Sequence, residues 1–105
     1  MRVLNGADRK FLRGLGQNLE PFVMVGKNGV TGTVIDSTGK ALAAHELVKV
    51  RFVECKDKDE KRAFIDQLAQ NTRSEVVGMI GHTALLYRQQ DDDEKRKVFF
   101  PDERG

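Results

Sequence analysis

The chain has 105 residues, with 18 basic and 16 acidic side chains, a formal net charge of +2 and 39% apolar residues. That length suits one domain with a single modest core, and no apolar run approaches the ~18 residues needed to cross a bilayer. Met1 to Gly6 has no long apolar core, so no signal peptide is expected, and a single cysteine, Cys55, fits a reduced, cytoplasmic setting. The charge is unevenly spread: residues 1–90 carry a net +4 and residues 91–105 a net −2. Such a body suits a polyanionic partner, although an uneven solvated surface explains the count more simply.

In chain order, Asn5 is a candidate N-cap with Asp8 in the first turn, and Phe11, Leu12 and Leu15 recur at helical spacing. Pro21 forbids the helix from continuing. Phe22-Val23-Met24-Val25 is a short apolar run that reads as a buried strand. Gly26-Lys27-Asn28-Gly29 is a turn signal, after which Val30, Val34, Ile35, Ala41 and Leu42 predict a second helix. The segment 47–54 alternates, with Val48, Val50 and Phe52 facing one way and Lys49 and Arg51 the other. Asp57 and Glu60 mark the start of a third helix that carries Phe64, Ile65, Leu68 and Ala69. Residues 75–80 and 83–88 read as a hairpin around Gly81-His82. A charged tail follows from residue 91, with an edge strand expected at 97–100. The expected fold is a single compact α/β domain over residues 1–90, in the order α-β-α-β-α-β-β, with a mixed sheet.

Few residues suggest chemistry. The Gly26–Gly29 loop follows a strand and precedes a helix, where glycine allows close approach and free amides attract phosphate. Read alone, a G-x-x-G is an ordinary tight turn. It is neither a P-loop nor a dinucleotide fingerprint, so an ATPase or dehydrogenase is unsupported. His45, His82 and Cys55 fit no zinc spacing, and Cys55 has no assignable base. No catalytic constellation, metal site or cofactor site is legible. Tyr87 is read as packing its ring with the hydroxyl at the surface. Arg9, Lys10 and Arg13 on the first helix and Lys49 and Arg51 on one strand face are each explained by solvation; in combination with a glycine loop they suit a sugar–phosphate backbone.

Several blocks then resemble the CRM domain, the chloroplast RNA splicing and ribosome maturation family, and especially its stand-alone bacterial YhbY-like members. These are Phe11 to Leu15 (FLRGL), Pro21 to Val30 (PFVMVGKNGV), His45 to Val50 (HELVKV) and Val77 to Arg88 (VGMIGHTALLYR), within residues 4–88. The resemblance implies a fold similar to the C-terminal domain of translation initiation factor three. It also implies RNA binding in large-subunit ribosome assembly, without catalysis, cofactor or small-molecule substrate. Gly26, Lys27, Asn28 and Gly29 would contact RNA, supported by Arg9, Lys10, Arg13, Lys49, Arg51 and Arg88. His82 stands where bacterial members often carry Lys, and Asp91-Asp92-Asp93-Glu94 lies outside the family pattern. The chain is expected to act as a monomer, away from membranes. The alternatives are a protein-interaction module on the ribosome or its precursor, and an enzyme acting on RNA.

Overall fold

The computed structural model describes residues 2–55 and 57–103. Helix α1 (Gly6–Gly16) begins at a capping box: the Asp8 amide donates to Asn5 Oδ1 at 2.8 Å, and the Asn5 amide to Asp8 Oδ2 at 3.2 Å. Each bond satisfies an amide that the helix start leaves unpaired. Strand β1 (Val23–Val25) leads through the glycine loop to α2 (Gly32–His45), which Thr31 caps. Strand β2 (Leu47–Phe52) precedes α3 (Lys58–Thr72), whose cap Asp57 accepts from the Asp59 and Glu60 amides. Strands β3 (Glu75–Ile80) and β4 (Thr83–Tyr87) close the sheet as a hairpin.

The sheet order is β1-β2-β4-β3, with β1 parallel to β2 and β4 antiparallel to both its neighbours. The expected mixed α/β fold is therefore present. The C-terminal ends of β1, β2 and β3 lie at one end of the sheet, together with the glycine loop and the Gly81-His82 turn. We call this the loop end.

The apolar interior lies on both faces of the one sheet. Helices α2 and α3 cover Val23, Val25, Val48, Val50, Phe52, Ala84 and Leu86, adding Leu42, Ile65 and Leu68. On the other face Leu47, Val77, Leu85 and Tyr87 pack with Leu4 and Leu12 around α1, and with Val98 and Phe100. The single core expected from length is thus two thinner layers that share a sheet.

The expected edge strand at 97–100 does not form. That segment has no ladder pairing, and it packs across the α1 face instead. Phe100 is fully buried, with its ring 5.6 Å from Phe11 and 5.7 Å, edge-on, from Tyr87; the Arg2 guanidinium lies 4.0 Å above it. A single aromatic plug closes a face that one eleven-residue helix leaves partly open. The Tyr87 hydroxyl is not at the surface: it is buried and has no hydrogen-bond partner among the described residues. Burial pushes its pKa up to about 12, and the Glu46 carboxylate adds to the effect.

The tail is held by Glu46, a fully buried carboxylate at φ 66° and ψ −42° just past α2. It accepts the amides of Gln90, Lys97 and Val98, each at 2.7 Å, and the Arg96 Nε lies 3.6 Å away. Arg96 also pairs with Glu103 at 2.6 Å. Pairing with Arg96 and the Phe100 amide lowers Glu103 to about 2. The Arg2 guanidinium likewise holds Asp8 below the ordinary carboxylate range. No described helix is long and apolar enough to cross a membrane.

Candidate functional site

The loop end gathers the features that can meet a ligand. In the Gly26–Gly29 loop, the Gly29 amide closes the turn onto the Gly26 carbonyl at 3.0 Å. The Lys27 and Asn28 amides make no hydrogen bond to a described residue, and both side chains are exposed.

The two glycines stand in different surroundings. Gly29 sits at φ 73°, and a Cβ there would stand 2.8 Å from the Phe64 ring on α3. Fold and backbone both demand it. Gly26 has no positive φ, and a Cβ there would meet nothing within 4 Å. Steric room therefore does not require glycine at 26, as it does not at Gly6, Gly14, Gly32 or Gly39.

Beside the loop lies an uncovered part of the α1 face. Alternation along β1 turns Val23 and Val25 toward α2 and α3, and so Phe22 and Met24 the other way. Both are about half exposed, at 54% and 53%. The apolar run 22–25 was expected to be buried throughout; one of its faces is open. The reason is coverage: α1 and the tail lie over β2, β3 and β4, and on that side of β1 only His45, from the end of α2, meets Phe22 among the described residues. The signal for this was faint, namely one short helix available for a whole sheet face.

The register sets Met24 beside Arg51, Arg51 beside Thr83, and Thr83 beside Ile80. Ile80 is 71% exposed, and Arg51 makes no ion pair among the described residues. Arg13, exposed on α1, lies against Gly78, where its Cδ would stand 3.2 Å from an added Cβ. A shallow groove between α1 and the sheet is lined by Arg13, Lys49, Ile80 and Thr83. The Gly81-His82 turn is fixed by Lys61, a buried lysine that sequence patterning did not single out. Its Nζ donates to the Gly81 carbonyl at 3.0 Å and lies 3.4 Å from His82 Nδ1.

The ten residues singled out from the sequence divide on this geometry. Gly26, Lys27, Asn28, Gly29, Arg13 and Arg51 lie at the loop end or open toward it. Lys10 is exposed on α1 and makes no ion pair among the described residues. Lys49 is on the open face, but its Nζ bonds the Gly16 and Leu19 carbonyls at 3.2 and 3.3 Å and so closes the end of α1. Arg9 and Arg88 are elsewhere. Arg9 donates to the Val76 carbonyl at 2.6 Å and pairs with Glu75, at the far end of β3. Arg88, past the end of β4, donates to the Thr72 and Gly39 carbonyls at 2.7 and 3.1 Å. Both tie helices and strands together rather than join the loop.

The acidic tail starts from this same far end, held at Glu46. The negative run at 91–94 therefore stands away from the loop, and the sequence's charge partition becomes a spatial one. At the loop end, Asp57 caps α3, and Glu54 lines a cavity together with Met24, Arg51 and His82. Chemically, the arrangement offers free amides, unpaired cations and exposed apolar side chains on one surface, which suits a phosphate-bearing polymer. Among the described residues no cluster of histidine, cysteine and carboxylate side chains is placed to hold a metal ion. Cys55 is buried beside Glu60, and both raise its thiol pKa, the opposite of an activated nucleophile.

Comparisons with known proteins point the same way. Residues 4–88 match the model of the CRS1 / YhbY (CRM) domain. The chain is 37% identical, over 96% of its length and 98% of the relative's, to a Haemophilus influenzae protein named "RNA-binding protein". It is 36% identical to a Pseudomonas aeruginosa protein named a probable RNA-binding protein, covering 83% of each chain. It is 33% identical to the Bacillus subtilis "Probable RNA-binding protein YqeI", over 89% of this chain and 96% of that one. Among solved structures it is similar to a Staphylococcus aureus protein described as a candidate RNA-binding protein. The TM-score is 0.77 and the identity 29%, with 91% of this chain and 99% of that one covered.

Proposed function

Because the chain belongs to the CRS1 / YhbY (CRM) domain family, we propose that it binds RNA, and that the loop end is the surface it uses. The RNA is structured ribosomal RNA of the large-subunit precursor, and the role is in assembly of that subunit. The protein acts without catalysis, as a cytoplasmic monomer. The Lys27 and Asn28 amides donate to phosphate oxygens. Lys27, Arg13, Arg51 and Lys10 neutralise neighbouring phosphates, with the third donor of Lys49 in support. Arg9 and Arg88 are left out, since their guanidinium groups are committed to backbone carbonyls. Contacts of this kind read the shape of the RNA more than its sequence.

The observation that carries the reading is the Gly26–Gly29 loop. Its Lys27 and Asn28 amides make no hydrogen bond to a described residue, and the Lys27 side chain beside them is exposed. The test is filter binding of Gly26→Ala and Lys27→Ala to a structured ribosomal RNA fragment. Both variants keep the fold and bind more weakly, and Lys27→Ala lowers the salt slope by about one. Unchanged affinity in folded variants refutes the loop contact.

A further inference from the structure

The cations and amides of the loop end account for phosphates. They leave unexplained why large apolar side chains stay exposed beside them. Phe22, just before β1, and Met24 on it are two residues apart, so with the chain extended their side chains stand roughly 7 Å apart along one face. Beside them on β2, at the strand spacing of about 4.8 Å, stand Lys49 and Arg51: the Phe22 amide donates to the Lys49 carbonyl at 3.0 Å, and Met24 is in register with Arg51. One column is apolar and the neighbouring column is cationic, on the same open face. The apolar column runs straight into Gly26. His45 stacks on the Phe22 ring with centroids 4.6 Å apart and planes 22° apart. That stack holds the ring in place while it stays half exposed.

We propose that this two-by-two patch seats two consecutive unpaired nucleotides of the RNA, their bases on Phe22 and Met24 and their phosphates toward Lys49 and Arg51. The inference rests on the RNA-binding reading and deepens it, because it assigns single-stranded RNA to one face beside the loop. Bases inside a duplex hide their faces, so apolar side chains reach only bases that are splayed out. Arg51, unpaired with any carboxylate among the described residues, and the third donor of Lys49, whose other two hold the Gly16 and Leu19 carbonyls, match a strand with one phosphate per base better than they match an apolar protein surface. The patch also continues the loop's phosphate grip along the same strand.

The experiment is fluorescence anisotropy with a labelled mixed-sequence single-stranded RNA of ten nucleotides and with the duplex of the same sequence. Phe22→Ala combined with Met24→Ala weakens single-strand binding about tenfold or more. Duplex binding and the salt slope stay as in the unsubstituted protein, since no charge is removed. Arg51→Ala instead lowers the salt slope. A second variant needs no comparison of stabilities: the chain has no tryptophan, so Phe22→Trp introduces a single indole whose emission is quenched when a base stacks on it. Single-strand affinity unaffected by the double substitution, equal losses on strand and duplex, or an indole blind to bound single strand each overturn the proposal while leaving the loop reading intact. Absence of binding to either RNA by the unsubstituted protein overturns both.

Discussion

Replacing Glu46 by alanine removes the acceptor for three backbone amides that lie some fifty residues downstream. The carboxylate is fully buried, and the Gln90, Lys97 and Val98 amides approach it at 2.7 Å each. Breaking a buried charged network from one side costs about 3–5 kcal/mol, because the remaining partners stay desolvated and unpaired. Alanine also keeps the strained positive φ, so no backbone relief offsets the loss. A domain of this size has only about 5–15 kcal/mol to lose. Each kcal/mol moves Tm by about 4–8 °C in a small domain, so Glu46→Ala lowers Tm by roughly 15 °C or more. Glu46→Gln separates the components. Its carbonyl oxygen can still serve the Lys97 and Val98 amides, which share Oε1, while its NH2 then faces the Gln90 amide. One bond is lost and a donor meets a donor, for a cost of about 1–3 kcal/mol. Thermal unfolding followed by far-ultraviolet dichroism gives the stabilities, and hydrogen exchange at residues 90, 97 and 98 gives the local effect. A Glu46→Ala protein with Tm within about 4 °C of the parent and those three amides still protected would refute the reasoning.

The remaining predictions concern glycines and pH. Gly14→Ala on exposed α1, where a Cβ meets nothing within 4 Å, stabilises by about 1 kcal/mol; Gly16→Ala, whose Cβ would stand 2.5 Å from Leu85 Cδ1, destabilises by about 1–3 kcal/mol. Urea unfolding of the pair checks the opposite signs, and equal signs contradict the packing. The chain has one tyrosine, so absorbance near 295 nm (a tyrosinate band) reports Tyr87 alone, with a midpoint at about 12. Its raised pKa means that burial of the neutral phenol stabilises the fold below the ordinary tyrosine range, and that this stability is lost as pH rises through about 12. A midpoint near 10, the unperturbed value, contradicts the burial. In acid the sign reverses. Glu103 ionises more readily folded than unfolded, so its stabilisation holds above the ordinary glutamate range and is lost as pH falls toward about 2. Exchange at Val98 and Phe100 accordingly rises over that interval, ahead of exchange in β2.

The elements were legible where local chemistry decides them. Asn5 with Asp8, Asp57 with Glu60, and Gly26 to Gly29 each act within one turn, and each stands where the pattern put it. Alternation in β2 separated Val48, Val50 and Phe52 from Lys49 and Arg51 correctly. What was hidden depends on coverage and on long-range contact. Periodicity says that Phe22 and Val23 face opposite ways, but not which face lacks a neighbouring layer. Nothing around Glu46 announces that it will hold the 97–98 backbone, and so 97–100 reads as a strand although it becomes an aromatic plug. Arg9, Arg88 and Lys49 look like solvated cations in sequence, and their carbonyl partners lie some 16 to 67 residues away. The basic surface is therefore smaller than the sequence suggests, and more sharply placed.

The most direct test of the central claim is the salt dependence of binding between the unsubstituted protein and a structured large-subunit RNA fragment. With Lys10, Arg13, Lys27 and Arg51 each facing a phosphate, log K against log[salt] falls with a slope of about −3 to −4. The slope drops by about one for Lys27→Ala and stays unchanged for Arg88→Ala. Binding that ignores salt, or a slope that falls with Arg88 and not with Lys27, would contradict an RNA surface at the loop end.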